Sequence, residues 1–279
     1  MHGFYGLGKR GSSALYSLPG VPFEAIGLLP DVMADIKRHF ALEAITHHTV
    51  VTFGIPESTL AKQIEPWEDA LPENIHLAYL PNPTIGVRLR LTQFGGHADF
   101  APYLTELHKI LGNAIYGEGE DTLQSVIGDK LRAAGKTLAL AESCTGGHLS
   151  ELITSVAGCS DYYKGSVTSY SNEVKMKVLG VRPETLEQFG AVSEQCVREM
   201  AAGVLRALDT DYAAATSGIA GPGGGSPEKP VGTAWLAAAK KLPDGSIRVA
   251  TQCVHFASSR AVNIERFASN ALDLLRRNL

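Results

Sequence analysis

The residues best equipped for chemistry stand together at Glu142-Ser143-Cys144-Thr145-Gly146-Gly147, which sets two hydroxyls, a thiol and a carboxylate beside a pair of glycines. Ahead of them Lys136-Thr137-Leu138-Ala139-Leu140 is a short apolar run after a glycine, and it predicts a buried strand. Behind them Leu149, Leu152 and Ile153 recur at the spacing of a helix face. The stretch is therefore strand, glycine-rich turn, helix. The first N–H groups of a helix lack internal partners, so such a junction favours an anion or a polarised carbonyl oxygen. Gly146 and Gly147 let another molecule approach the backbone closely.

Two further stretches have the same form. Residues 164–169 predict a strand whose end releases Tyr170, Ser171 and Asn172 into a turn before a helix carrying Lys175. Thr216-Ser217-Gly218-Ile219-Ala220-Gly221-Pro222-Gly223-Gly224-Gly225 follows the apolar run 212–215. Three strand ends thus finish in small, hydroxyl-bearing residues. Open α/β sheets bind ligands at the carboxyl ends of their strands, so the three loops are expected to converge on one crevice.

The motifs AESCTGG (141–147), SYSNEVK (169–175), GAVSE (190–194), TSGIAGPGGG (216–225) and EKPVGTAW (228–235) occur in this order. The set resembles the C-terminal domain of the CinA family, the nicotinamide mononucleotide deamidase, over roughly residues 118–279. The resemblance implies hydrolysis of the substrate's amide to the acid with release of ammonia, a three-layer α/β/α fold with a mixed sheet, and a homodimer. No cofactor is expected.

Amide hydrolysis needs a nucleophile, a base and donors for the developing oxyanion. With no histidine in the three loops, the resemblance makes Ser143 the nucleophile and Lys175 its base, which requires a depressed lysine pKa. Position alone reads Lys175 as an exposed helix lysine. Tyr170 orients the pair or donates a proton, and backbone N–H groups around Thr145 and Gly146 form the oxyanion site. Expected substrate contacts are Glu142, Thr145, Gly146, Gly147, Asn172, Ser217, Gly218, Gly221, Gly224 and Arg260. Candidates for the phosphate are the 221–225 backbone, the Ser217 hydroxyl and Arg260. Family members commonly carry Gly-Asp-Arg where this chain has Ser258-Ser259-Arg260, so the arginine lacks an acidic partner. Cys144 is a rival nucleophile, since a helix start lowers a thiol pKa; the alternative is a packed small residue.

The whole chain frames these expectations. Its 279 residues suggest two domains, and 44% apolar with 19% charged residues can bury ordinary cores. A net charge of −4 gives no broad attraction to nucleic acid or anionic membrane. The four cysteines show neither C-x-x-C pairing nor zinc spacing, and no H-E-x-x-H occurs, so no metal is expected. No leader-like segment or long apolar run appears, which predicts a soluble cytoplasmic protein. Two other readings are a non-catalytic pyridine-nucleotide-binding regulator and a nucleic-acid-associated, competence- or damage-related module acting through residues 41–115, which the acidic net charge and the missing G-x-x-G disfavour.

Residues 1–40 are assigned as a remnant of the molybdopterin-binding-like domain that precedes the deamidase in CinA proteins, on the resemblance of Leu18-Pro19-Gly20-Val21-Pro22-Phe23-Glu24 to its closing motif. The pyrophosphatase activity of that domain is expected to be absent. Residues 6–11 formally match G-x-G-x-x-G but lack the strand and helix that pattern requires, and are read as a turn. Residues 23–40 predict a helix interrupted near Pro30. Residues 41–115 read β-α-β-β-α and resemble the KH-like middle domain, without the G-x-x-G loop a functional KH domain uses; Arg88 and Arg90 are read as a solvated sheet face. Residues 116–279 are the deamidase domain. There Asp121 is expected to cap a helix ending at Gly135, Ser193 to cap another, and Pro243-Asp244-Gly245 to join two strands of a hairpin.

Overall fold

The structure is a computed structural model, and it describes residues 4–7, 13–42, 44–82, 85–96 and 99–279. Residues 1–46 and 93–98 form one compact unit; residues 47–92 and 99–279 form a second. In the first, β1 (Phe4–Leu7) pairs antiparallel with β2 (Ala14–Ser17) ahead of α1 (Pro22–His39). The expected break at Pro30 does not occur: α1 runs through it. A proline forfeits its own N–H bond and crowds the carbonyl four residues back, a local cost that does not end the helix here, and Pro22 at the first turn with Lys37, Arg38 and His39 in the last supports both helix ends. Residues 8–11 of the formal glycine motif lie outside the described residues. No helix of the described residues is long and apolar enough to cross a membrane.

Next come β3 (Ile45–Thr52), α2 (Glu57–Glu68), β4 (Ile75–Asn82), β5 (Gly86–Phe94), α3 (Ala101–Leu111) and the short β6 (Ile115–Glu118), in a sheet of order β4-β5-β3-β6. Val87, Leu89 and Leu91 are the buried half of the alternation in β5, as the sequence pattern predicts. Gly86, at φ +103°, has no room for a Cβ, which would lie 1.9 Å from the Thr52 carbonyl oxygen. The last strand links this sheet to the rest of the unit: β6 pairs antiparallel with β3, and the Phe53 N–H donates to the Ala114 carbonyl. Val51, Phe53 and Tyr116 therefore join a hydrophobic core that continues into the following domain.

That domain begins with α4 (Leu123–Ala134), capped by Thr122 rather than Asp121. The Thr122 and Ser125 side chains each accept the other's backbone N–H, a reciprocal box that the carboxylate one residue earlier cannot make. Asp121 instead accepts the Glu118 N–H. Then follow β7 (Leu138–Glu142), α5 (His148–Thr154), β8 (Tyr163–Thr168), α6 (Asn172–Leu179), α7 (Pro183–Phe189), α8 (Glu194–Ala207), β9 (Tyr212–Gly218), β10 (Thr233–Lys241), β11 (Ile247–His255) and α9 (Arg260–Arg276). The sheet order is β11-β10-β9-β7-β8, with β7 parallel to β8 and β9 and the β10–β11 hairpin antiparallel. One face packs Ile127, Leu149 and Phe267 of α4, α5 and α9. The other packs Val197, Met200 and Val204 of α8 on Ala139, Ala213 and Ala237 of the central strands. The result is the expected three-layer α/β/α domain with a mixed sheet, following a small KH-like α+β module.

Candidate active site

The three motif loops meet because the strands that deliver them are neighbours. At the end of β7 the Ser143 N–H donates to the Thr216 carbonyl of β9 at 3.0 Å, and the Ser169 N–H after β8 donates to the Glu142 carbonyl at 2.7 Å. Ser143 is left half-buried between them.

Lys175 reaches it from α6. The Ser171 hydroxyl caps that helix by accepting the Val174 N–H, and Lys175 and Leu179, four residues apart, form its buried face. Lys175 is therefore only 1% exposed, not the solvated helix lysine that its position suggested. Its Nζ lies 3.0 Å from Ser143 Oγ and donates to the Ser169 carbonyl at 2.7 Å and the Tyr170 carbonyl at 3.4 Å. Among the described residues no carboxylate forms an ion pair with it. Desolvation of the ammonium holds its pKa below the ordinary lysine range, only partly opposed by the nearby thiols of Cys196 and Cys144. A lysine that loses its proton readily beside a serine hydroxyl is the combination that activates a nucleophile without histidine.

Glu142 and Thr145 hold this loop from within. The fully buried Glu142 carboxylate accepts N–H bonds from Gly147, Leu149 and Ser150 at 2.9–3.0 Å, the Ser150 hydroxyl at 2.6 Å and the Thr145 hydroxyl at 2.7 Å. The start of α5 is thus occupied by the protein's own carboxylate, so Glu142 and Gly147 act on the loop rather than presenting groups to a ligand. Gly146 and Gly147, at φ +63° and +111°, supply the left-handed backbone that turns the chain. The Gly146 N–H is also occupied, by the Ser143 carbonyl at 3.2 Å. The Gly146 N–H is therefore not free for the oxyanion that was expected around Thr145 and Gly146.

Cys144 is 6% exposed, and burial pushes its thiol up to about 12. The helix-start effect that favours a thiolate loses here to desolvation, since Glu142 already neutralises that helix end. Of the two side chains, Ser143 is the one that Lys175 hydrogen-bonds.

The walls of the crevice come from more distant segments. Arg260, at the start of α9, donates to the Gly221 carbonyl at 2.8 Å and to Tyr170 Oη at 3.2 Å, so the arginine lacking an acidic neighbour is oriented by the two other loops. Tyr170 is 63% exposed, its carbonyl accepting from Lys175 and its hydroxyl from Arg260. The Ser217 hydroxyl is buried and donates to the Ala191 carbonyl at 2.7 Å, fixing the 190–194 loop. Gly218 and Gly221 are packing positions: a Cβ would come within 2.5 Å of Ala234 and 2.6 Å of Val231. Gly224 and Asn172 are exposed.

Lys229 escaped the sequence reading although it stands in the fifth motif. Its Nζ donates to the Phe189 carbonyl at 2.6 Å beside Gly190, which places an ammonium next to the loop that Ser217 holds. The only cation in the motif EKPVGTAW was the available signal.

The fold is an α/β/α domain in which a buried lysine stands within hydrogen-bond distance of a half-buried serine hydroxyl at the carboxyl ends of the strands. Residues 120–279 match the CinA C-terminal domain model, and residues 47–117 match the model of the damage-inducible protein CinA KH domain. The chain belongs to the CinA family. It is 43% identical to a CinA-like protein of Cytophaga hutchinsonii over 94% of this chain and 63% of the relative, so it spans under two thirds of the length of that protein. Among solved structures it resembles the competence damage-inducible protein A of Klebsiella pneumoniae (37% identity, TM-score 0.52, 56% of this chain and 93% of the other). It also resembles a CinA superfamily protein of Escherichia coli (30% identity, TM-score 0.53, 61% and 98%).

Proposed function

We propose that this protein hydrolyses the amide of nicotinamide mononucleotide to nicotinate mononucleotide and ammonia. The observation that carries the reading is the 3.0 Å approach of a buried, unpaired lysine to Ser143 in a domain of the CinA family. Ser143 Oγ attacks the amide carbon while neutral Lys175 accepts its proton, and the Cys144 and Thr145 amides receive the charge that develops on oxygen. Lys175 then returns the proton to the departing nitrogen, leaving an ester on Ser143 and free ammonia. Water attacks the ester with Lys175 again as base, which releases the acid and restores the serine.

The phosphate falls to the cations on the walls. Arg260 offers a planar guanidinium across the Tyr170 and Gly221 loops, and Lys229 a point charge beside the 190–194 loop. The family's homodimer accompanies this reading. Incubating the purified protein with nicotinamide mononucleotide and measuring ammonia tests it directly. Release of one ammonia per acid formed is expected, and its absence at enzyme concentrations near those of substrate overturns it.

A further inference from the structure

Away from the Ser143 crevice, the second unit contains a cleft of about 520 Å³ between the turn that follows β3 and the middle of α9. A smaller hollow of about 330 Å³ adjoins it and shares Phe53, Ile55 and Asn270. The cleft is within the size range of small-molecule sites. Its walls are of two kinds. Phe53, Ile55, Val87 and Phe256 are apolar, whereas α9 lines it with Arg266 and Asn270, four residues apart on one helix face.

Charge decides what such a space suits. Further along the same face, Asp273 is compensated twice, by Arg276 at 2.7 Å and Arg277 at 3.0 Å. Arg266 has no such partner: among the described residues no carboxylate forms an ion pair with it, and its guanidinium lies over the Phe256 ring at 5.2 Å. Stacking uses the face of a guanidinium and leaves its N–H edge for a planar or tetrahedral anion. Glu57 lines the mouth, but it is exposed to solvent and therefore screened.

We infer that this cleft is a second small-molecule site, for an aromatic monophosphate of mononucleotide size, with its phosphate on Arg266 and its ring against Phe53 and Ile55. It is separate from the Ser143 crevice: Arg260 and Arg266 are six residues apart on α9, about 9 Å along its axis, and point to different partners.

Titration calorimetry of the full chain with adenosine monophosphate at low salt tests this, with adenosine and inorganic phosphate as separate arms. Saturable binding of one nucleotide per chain is expected, at least tenfold tighter than either fragment. Arg266→Gln is expected to weaken it tenfold or more, and Ile55→Trp, which enlarges a half-buried side chain of the cleft wall, to do the same; Arg260→Ala leaves it within twofold. No nucleotide binding at millimolar concentration overturns the inference. So does binding that Arg260→Ala removes while Arg266→Gln and Ile55→Trp spare it, which places the nucleotide in the Ser143 crevice. Amide hydrolysis is not the readout, so either result stands apart from the deamidase reading.

Discussion

Glu142 and Ser143 are adjacent in the chain, yet one carboxylate oxygen of Glu142 takes the Ser150 hydroxyl at 2.6 Å inside the protein while Ser143 Oγ stands 3.0 Å from Lys175 in the crevice. The buried neighbour sets the position of the reactive one. Glu142→Gln would turn an amide NH2 toward backbone N–H donors, leaving buried groups unsatisfied at a cost of about 2–4 kcal/mol. The expected outcome is a lowered Tm, with kcat falling more than KM changes. A variant with unaltered Tm and kcat would show that the carboxylate does not hold the loop.

The dyad predicts a pattern of substitutions. Ser143→Ala and Lys175→Ala should each lower kcat by about 1,000-fold or more with KM within a few-fold, and the double variant should be no worse than either, because nucleophile and base act as one unit. Cys144→Ala should keep kcat within about tenfold, since the buried thiol is not ionised. A dead Cys144→Ala beside an active Ser143→Ala would transfer the nucleophile to sulfur.

Lysine desolvation makes two predictions about pH. The active form is neutral Lys175, so kcat/KM should rise with pH through a pKa below the ordinary lysine range and level off above it. Lys175→Arg should be inactive across the range, because a guanidinium keeps its proton. For stability, a lysine pKa lowered by folding means that the unfolded chain binds more protons between the folded and unfolded pKa values. The Lys175 contribution therefore becomes more favourable as pH rises through that window, and below it the buried ammonium is a standing penalty. Lys175→Met should raise Tm at neutral pH and lose that advantage as the pH approaches the ordinary lysine pKa. Thermal melts of both proteins from pH 7 to 10 check the sign.

Anion binding on the walls is separable from chemistry at Ser143. Arg260→Ala and Lys229→Ala should each raise KM for nicotinamide mononucleotide about tenfold or more, as expected for loss of a charge-assisted contact, and change KM for the dephosphorylated nucleoside little. Equal losses for both substrates would remove these residues from the phosphate. Tyr170→Phe should weaken the orientation of Arg260, and so raise the same KM by a smaller factor.

The CinA C-terminal domain should stand alone. The solved Klebsiella pneumoniae relative that covers 56% of this chain is itself covered over 93% of its length, so a chain of about this domain's extent folds independently. A chain beginning at Gly117 should fold and retain kcat, with a lower Tm because Val51 and Phe53 leave the shared core. An insoluble or inactive product, with the full chain active, would make the KH-like module part of the working enzyme.

Local patterning was enough for much of this protein. Short apolar runs followed by small hydroxyl residues marked β7, β8 and β9 and the loops at their ends, Ser171 and Ser193 marked helix starts, and Pro243-Asp244-Gly245 marked the hairpin turn, because strand pleat, capping and turn chemistry depend on neighbours in the chain. Only the tertiary structure decided which polar groups stay available. Glu142, Thr145 and Ser217 belong to the motifs and look from sequence like ligand contacts, but packing brings them donors and acceptors from residues 150, 216 and 191 and uses them internally. Lys175 shows the converse: a lysine in an amphipathic helix reads as solvated, and is desolvated only because α6 packs against α8 and brings that face to the loops ending at Ser143 and Ser169. Burial and hydrogen-bond partnership are set by segments far apart in the chain, and these decide whether a carboxylate, thiol or ammonium is held, silenced or activated.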